Sequence, residues 1–251
     1  MTALVVLPGL DGTATLLSAF ADAVRPHFSS VQVVSYPRDQ ILDYRELEAI
    51  ARSELPTDAP FVLLGESFSG PIAMSIAANP PEGLVGLVLS TTFSRRPVPS
   101  LLPFAPFTSI APVRRLPESL LSWLLLGDWA TPGLRSSLRS ALASVSPRVL
   151  KTRAAAALRV DCSACLERIK VPVLYLRATG DRLISRTIAD SIAATTPQVT
   201  VVDIAGPHLL LQAAPGPCAA AVVGFSTQTP AEYLGDHGTS ARHSPIPQRP
   251  A

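Results

Sequence analysis

The chain has 251 residues, 47% of them hydrophobic, with 21 basic and 19 acidic side chains for a net charge of +2. That length can bury a full core in one domain, and a charge so nearly balanced removes the electrostatic case for a nucleic-acid partner. No stretch approaches the roughly 20 apolar residues that span a bilayer, and the N-terminus carries no basic region, apolar run and cleavage site, so neither a membrane span nor secretion is expected.

Short apolar runs alternate with helical patterns from the start, which predicts an α/β fold whose parallel sheet is covered on both faces. Ala3 to Leu7 reads as a buried strand ended by Pro8-Gly9. Leu16, Leu17, Phe20, Ala23 and Val24 then recur at helical spacing until Pro26. A second strand is predicted over Val31 to Tyr36. Asp43 and Glu46 form a capping pair for a helix whose apolar face is Leu47, Ile50, Ala51 and Leu55.

The third strand, Phe61 to Leu64, runs into Gly65-Glu66-Ser67-Phe68-Ser69-Gly70, and the small-residue stretch Ile72 to Ala78 then reads as a helix. A G-x-S-x-G at a strand-to-helix turn places its serine in a strained conformation with the hydroxyl above the sheet edge. Gly65 and Gly70 are needed where strand and helix pass too close for Cβ atoms, and Pro71 fits a first helical turn whose amides lack partners. The candidate nucleophile is therefore Ser67.

Leu84 to Ser90 gives a fourth strand, after which the alternation stops over residues 93–160. This interval opens with the Pro-rich stretch Pro97 to Pro117. It continues with helices over Ser119 to Leu126, Pro132 to Val145 begun by Thr131, and Pro147 to Arg159 begun by Ser146. The sheet resumes at Val171 to Leu176, followed by a helix near Thr187 to Thr195, a strand over Val199 to Ile204 and a last helix over Pro217 to Phe225. The organisation expected is a core over residues 1–92 and 161–226, a helical cap over 93–160, and a disordered tail over 227–251 that has no periodic apolar face. The three cysteines are an odd number, and Cys162 and Cys165 have no second pair or histidine at metal-site spacing. They read as interior thiols in a reducing compartment, so the location expected is cytoplasmic and no metal is expected.

A serine hydroxyl needs a base to take its proton and a carboxylate to hold that base in the right tautomer. Asp181, in Thr179-Gly180-Asp181, follows the strand ending at Leu176; His208, in Gly206-Pro207-His208, follows the strand ending at Ile204. Both then stand where loops of one sheet edge converge. Asp181 could instead cap a helix near Arg182 to Ser185, and Asp203, within a strand, is the alternative acid. His27 ends a surface helix, and His237 and His243 lie in the tail, so these three read as solvated. Glu66 is either a solvent-facing or structural carboxylate bonded to backbone amides, or a group that tunes the site. Asp11 is a turn-former or a residue that holds its own loop.

Four motifs in this order, Leu7-Pro8-Gly9-Leu10-Asp11-Gly12, Gly65 to Gly70, Thr179-Gly180-Asp181 and Gly206-Pro207-His208, make the chain similar to the α/β-hydrolases, specifically capped serine esterases and lipases. The resemblance covers nearly all of residues 3–226 apart from the cap. It implies a Ser67-His208-Asp181 triad and an oxyanion hole made by the backbone amides of Leu10 and Phe68, with no cofactor. The family's usual His-Gly is Pro8-Gly9 here, and nothing before Ala3 forms the family's leading antiparallel pair, so a sheet of about six strands, all parallel, is expected.

The function expected is hydrolysis of a small-molecule carboxylic ester through an acyl-enzyme. The cap between Pro97 and Ala130 is charged only at Arg114, Arg115, Glu118 and Asp128. Such a surface either packs onto the core or forms a ceiling for an apolar acyl or alcohol group. Arg114 and Arg115 read as surface charges or as contacts to a carrier protein or an acidic headgroup. A thioesterase, a lactonase, a β-diketone C–C hydrolase and a slow-turnover ligand receptor share the same motifs. Epoxide hydrolases and haloalkane dehalogenases carry Asp where Ser67 stands. Neither the physiological substrate nor the oligomeric state is legible.

Overall fold

The computed structural model describes residues 1–95 and 118–228. The whole Pro-rich stretch from Pro97 to Pro117, with Arg114 and Arg115, and residues 229–251 of the expected tail lie outside them. Six strands, β1 (Ala3–Leu7), β2 (Val31–Val33), β3 (Phe61–Glu66), β4 (Leu84–Ser90), β5 (Val173–Ala178) and β6 (Val199–Ile204), form one all-parallel sheet in the order β2-β1-β3-β4-β5-β6. β1, β3 and β4 are buried at every position, as unbroken apolar runs covered on two faces require.

Helices α1 (Ser18–Val24), α9 (Leu210–Ala213) and α10 (Pro215–Gln228) cover one face, packing Phe20, Val24, Leu210, Cys218 and Val222 on Leu4, Val6, Val62, Leu64 and Val88. On the other face, α2 (Tyr44–Ser53), α3 (Gly70–Ala78), α7 (Ser163–Leu166) and α8 (Arg186–Thr195) bring Leu47, Ile72, Ile76, Leu166 and Ile192 onto Val5, Leu63, Leu87 and Tyr175. Each fully buried Leu, Ile or Phe contributes about 1.5–3 kcal/mol. α3 is buried at eight of its nine positions, so it has no polar face to offer solvent. Among the described residues, no helix is long and apolar enough to cross a membrane.

Several elements differ in extent from the sequence reading, β3 among them, which runs on to Glu66, and at three of them proline accounts for the difference. β2 stops at Val33 because its partner β1 ends at Leu7, before Pro8: the Val34 amide still reaches Val6 O at 2.9 Å, but the Tyr36 amide bonds Gly12 O at 2.9 Å instead. β5 starts at Val173, not Val171, since Pro172 has no N–H to give a ladder. The last helix runs from Pro215 to Gln228, longer at both ends, its first turn holding two prolines that lose nothing there.

Between β4 and β5 lie α4 (Glu118–Leu125), α5 (Pro132–Ala143) and α6 (Pro147–Ala157). The two ends of this segment meet: Arg95 and Asp161 form an antiparallel bridge, and the Cys162 amide donates to Ser94 O at 2.8 Å. Leu126, Leu138 and Ala141 pack with Leu16 and Leu209 in a separate apolar cluster beside the C-terminal edge of the sheet. Thr131 caps α5 by accepting from the Leu134 amide at 3.2 Å, whereas Ser146 makes no side-chain cap on α6.

The capping pair at α2 is complete. Asp43 Oδ1 accepts from the Arg45 and Glu46 amides at 2.9 Å, and Glu46 Oε2 accepts from the Asp43 amide at 2.8 Å. Asp43→Ala removes two acceptors from orphan helix amides, and is expected to lower unfolding free energy by about 1 kcal/mol. Urea denaturation checks this, with the midpoint falling and the slope unchanged.

Candidate active site

The strand order places β1 and β3 side by side while their connections leave in opposite directions, β1 toward β2 and β3 toward β4. A crevice opens at the carboxyl ends of two such strands. The loop Pro8 to Gly12 and the turn after Glu66 are the two walls of that crevice.

At the turn, β3 passes into a single 3₁₀ turn, Ser67–Ser69, and then directly into α3. There is no room for side chains at the crossing. A Cβ on Gly65 would lie 2.6 Å from Ala73 Cβ, and one on Gly70 would lie 1.8 Å from Thr92 Oγ1. Ser67 is left at φ +44°, left-handed backbone that costs a non-glycine residue on the order of 1–3 kcal/mol. Its surroundings hold it there. Thr92 Oγ1 donates to Ser67 O at 2.5 Å, and Tyr175 Oη in turn accepts from the Thr92 amide at 3.1 Å and donates to Thr92 O at 2.6 Å. The Ser69 hydroxyl donates to Pro8 O and lies 3.0 Å from Tyr36 Oη, tying the turn to the first loop. Phe68 is buried, stacked on Tyr44 at 4.8 Å, with the Tyr44 hydroxyl donating to Phe68 O at 3.1 Å.

Ser67, His208 and Asp181 lie in one hydrogen-bonded chain: Ser67 Oγ is 2.8 Å from His208 Nε2, and His208 Nδ1 is 2.9 Å from Asp181 Oδ2. The loops that carry the last two are zipped together, the Thr179 amide to Ile204 O and the Gly180 amide to Gly206 O, each at 2.9 Å. Asp181 divides its oxygens. Oδ1 accepts from the Leu183 and Ile184 amides at 2.7 and 2.8 Å, so it caps its turn, and Oδ2 faces the imidazole.

Burial opposes the charge on Asp181, but the His208 charge and hydrogen bond and the two amides outweigh it and hold its pKa below the ordinary carboxylate value. For His208, burial disfavours the imidazolium, while the Asp181 charge and hydrogen bond, with the Glu66 charge, raise its pKa above the ordinary value. An ionised Asp181 only accepts, so Nδ1 must carry the proton and Nε2 faces the serine hydroxyl as an acceptor.

Of the rivals, Asp203 is exposed and engaged by Arg177 at 2.5 Å and Arg186 at 3.0 Å, away from the imidazole, and His27 is exposed. His237 and His243 lie outside the described residues. Asp11 holds its own turn through the Thr13 amide and hydroxyl, 3.0 and 2.5 Å from its Oδ2.

Glu66 is not solvent-facing. It is 2% exposed, with Oε2 accepting from the Gly9 amide at 3.1 Å and Oε1 from Gln212 Nε2 at 2.8 Å. It therefore pins the first loop from the strand side. Sequence reading missed Thr92, Tyr175, Gln212 and Arg153. The last had a signal: Val149, Leu150 and Arg153 are the buried positions of α6 and fall on one helical stripe, so an arginine at an apolar register position marked a buried cation.

Neither a protein-family model nor a curated protein sequence matches this chain. Solved structures do resemble it. A hydrolase from Oleispira antarctica superposes with a TM-score of 0.77 at 16% identity, covering 91% of this chain and 92% of the other. The enol-lactonase from Burkholderia xenovorans LB400 gives 0.78 at 17% identity, covering 90% and 92%, and a thermophilic esterase from Thermogutta terrifontis gives 0.75 at 19%, covering 91% and 90%. The likeness establishes the architecture: this chain has the α/β-hydrolase fold.

Burial raises the Glu66 pKa to about 7, the Gln212 and Gly9 hydrogen bonds and His208 working against that and Asp11 with it. A raised carboxyl binds its proton more tightly folded than unfolded. Its stabilising contribution is full below the ordinary Glu range and is lost as pH rises through about 7. Glu66→Gln keeps one acceptor for Gly9 and, with the Gln212 amide turned over, can donate to its Oε1, which has no partner among the described residues. Thermal unfolding across pH should show the variant gaining on the native protein between pH 5 and pH 8; parallel stability curves refute the assignment.

Proposed function

We propose that the protein is a serine hydrolase of small carboxylic esters. The observation that carries this is the continuous Ser67-His208-Asp181 chain, with its 2.8 and 2.9 Å contacts, at the mouth of the β1–β3 crevice. In this reading His208 Nε2 takes the Ser67 proton as Oγ attacks the ester carbonyl, and Asp181 stabilises the imidazolium. The Leu10 and Phe68 amides bind the negative oxygen of the tetrahedral intermediate. His208 returns the proton to the leaving alcohol, then takes one from water, whose attack on the acyl-Ser67 releases the acid and the free serine.

The helical segment between β4 and β5 serves in this proposal as a cap. Its support is the neck at Arg95 and Asp161 and three attachments to the loops of the site. The Leu209 amide donates to Leu125 O at 3.0 Å, Arg182 reaches Trp123 O at 3.0 Å and Asp128 at 3.2 Å, and Arg153 reaches the first loop. Free thiols at Cys162, Cys165 and Cys218 suit a reducing compartment, and a cytoplasmic location belongs to the same proposal. An esterase and an enol-lactonase share this fold. Esters, thioesters and lactones can pass through the same acyl-enzyme, so the acyl and leaving groups are what a substrate panel must decide.

Ser67→Ala should reduce turnover of an aryl ester by about four orders of magnitude, and a serine-directed phosphonate should label Ser67 in the native chain alone. Retained turnover ends the proposal, and a native protein that takes the label yet turns over no ester, thioester or lactone favours the receptor reading. The base must be neutral to act, so kcat/KM should rise with pH along a limb whose pKa lies above the ordinary imidazole value. Because ionised Glu66 helps to raise it, Glu66→Gln should shift that limb to lower pH.

A further inference from the structure

Arg153 is a cation with 2% exposure, placed on α6 far from the sheet in sequence, and the reaction above gives it no part. Its guanidinium is spread over backbone carbonyls. Nη1 donates to Leu10 O at 3.1 Å and to Asp11 O at 2.8 Å, Nη2 donates to Pro37 O at 2.9 Å, and the group lies 5.6 Å from the Tyr36 ring centroid. Burying such a charge is costly unless its donors are satisfied. What satisfies them here is the loop itself.

The loop is a tight turn, with the Gly12 amide donating to Gly9 O at 3.0 Å. Leu10 and Asp11 are its two corners, and their carbonyls turn outward onto one guanidinium. Gly12, at φ +69°, closes the turn where a Cβ would stand 2.3 Å from Arg153 Nη1. The space is occupied by the arginine. In a trans peptide the C=O and N–H point opposite ways. Holding Gly9 O inside the turn therefore aims the Leu10 N–H out of it, and holding Leu10 O and Asp11 O fixes the next two planes. Glu66 holds the Gly9 amide from the other side.

We propose that Arg153 is a positioning residue for the oxyanion hole: from the cap it fixes the Leu10–Asp11 and Asp11–Gly12 peptides and, through the Gly12 amide held on Gly9 O, the direction of the Leu10 amide. This rests on the ester-hydrolase reading. One nitrogen, Nη1, serves both loop carbonyls while Nη2 is anchored on Pro37 O, and N–H bonds fixed in one rigid plane constrain peptide orientation in a way a freely rotating lysine ammonium does not. A donor misaimed by a fraction of an ångström loses transition-state binding while ground-state binding is nearly unaffected.

The test compares the native chain with Arg153→Lys, Arg153→Met and Arg153→Ala on an aryl ester, with an arylboronic acid as a tetrahedral mimic. Expected is a fall in kcat of about 10- to 100-fold in the Met and Ala variants with KM changed less than about threefold. Boronate affinity should weaken in proportion to kcat/KM, lysine should restore only part of the loss, and millimolar guanidinium should raise the kcat of Arg153→Ala. An unchanged kcat in variants that melt cooperatively, a loss carried wholly by KM, or full activity with lysine overturns the proposal. Arg153→Lys decides the matter if the other two do not fold. A native chain with no esterase activity, or one insensitive to Ser67→Ala, refutes the hydrolase reading instead. Amide hydrogen exchange at Leu10 and Gly12 then reads the loop by itself: faster exchange in Arg153→Lys supports the clamp, and unchanged exchange overturns it.

Discussion

The lack of space between β3 and α3 is the constraint on which the site depends. A strand that must enter a buried helix within a three-residue turn cannot keep ordinary backbone angles throughout; glycine at 65 removes a Cβ that would meet Ala73 of α3, and glycine at 70 one that would meet Thr92 after β4. The residue left between them, Ser67, absorbs the strain at φ +44°. Strain of this kind persists only where neighbours over-determine it. The hydrogen bonds of Thr92 and Tyr175 and the near-complete burial of α3 do so. Packing energy from the core is thereby spent on holding one hydroxyl above the sheet edge.

Around that turn the polar groups divide into two layers. The inner one is the Ser67, His208 and Asp181 chain, where Asp181 gives one oxygen to the imidazole and the other to its own turn. The outer layer holds backbone carbonyls and amides in place: Tyr44 on Phe68 O, Ser69 on Pro8 O, Glu66 on the Gly9 amide, and Arg153 on Leu10 O and Asp11 O. A buried carboxyl and a buried guanidinium thus grip opposite sides of one loop without pairing with each other. Such groups are costly to bury, and here both are hydrogen-bonded to peptide groups whose direction matters.

The helical segment between β4 and β5 contributes to this outer layer. Arg153 joins it to the first loop, Arg182 joins it to the loop of Asp181, and Leu125 joins it to the residue after His208. A rearrangement of this segment would be felt at all three loops, since each attachment is a hydrogen bond to backbone. That makes the segment part of the scaffold of the site as well as a neighbour of it.

The α/β class, the strands β1, β4 and β6 to their ends, the α2 cap and the close crossing at Gly65 were all legible in the sequence, whereas the crowding at Gly70 comes from Thr92 after β4. Each depends on local rules: unbroken apolar runs, Asp and Glu three apart, and glycine where a turn allows no Cβ. Boundaries next to proline were misread where the missing N–H acted on a partner strand, as at β2 and β5. What only the tertiary structure decided were contacts between residues far apart in the chain. Glu66 faces Gln212 and Gly9, Tyr175 supports Thr92, and Arg153 reaches across to Leu10. Spacing along one helix could mark Arg153 as buried, but no local rule names the carbonyls it meets, because that pairing is set by how the segment after β4 folds back over the first loop.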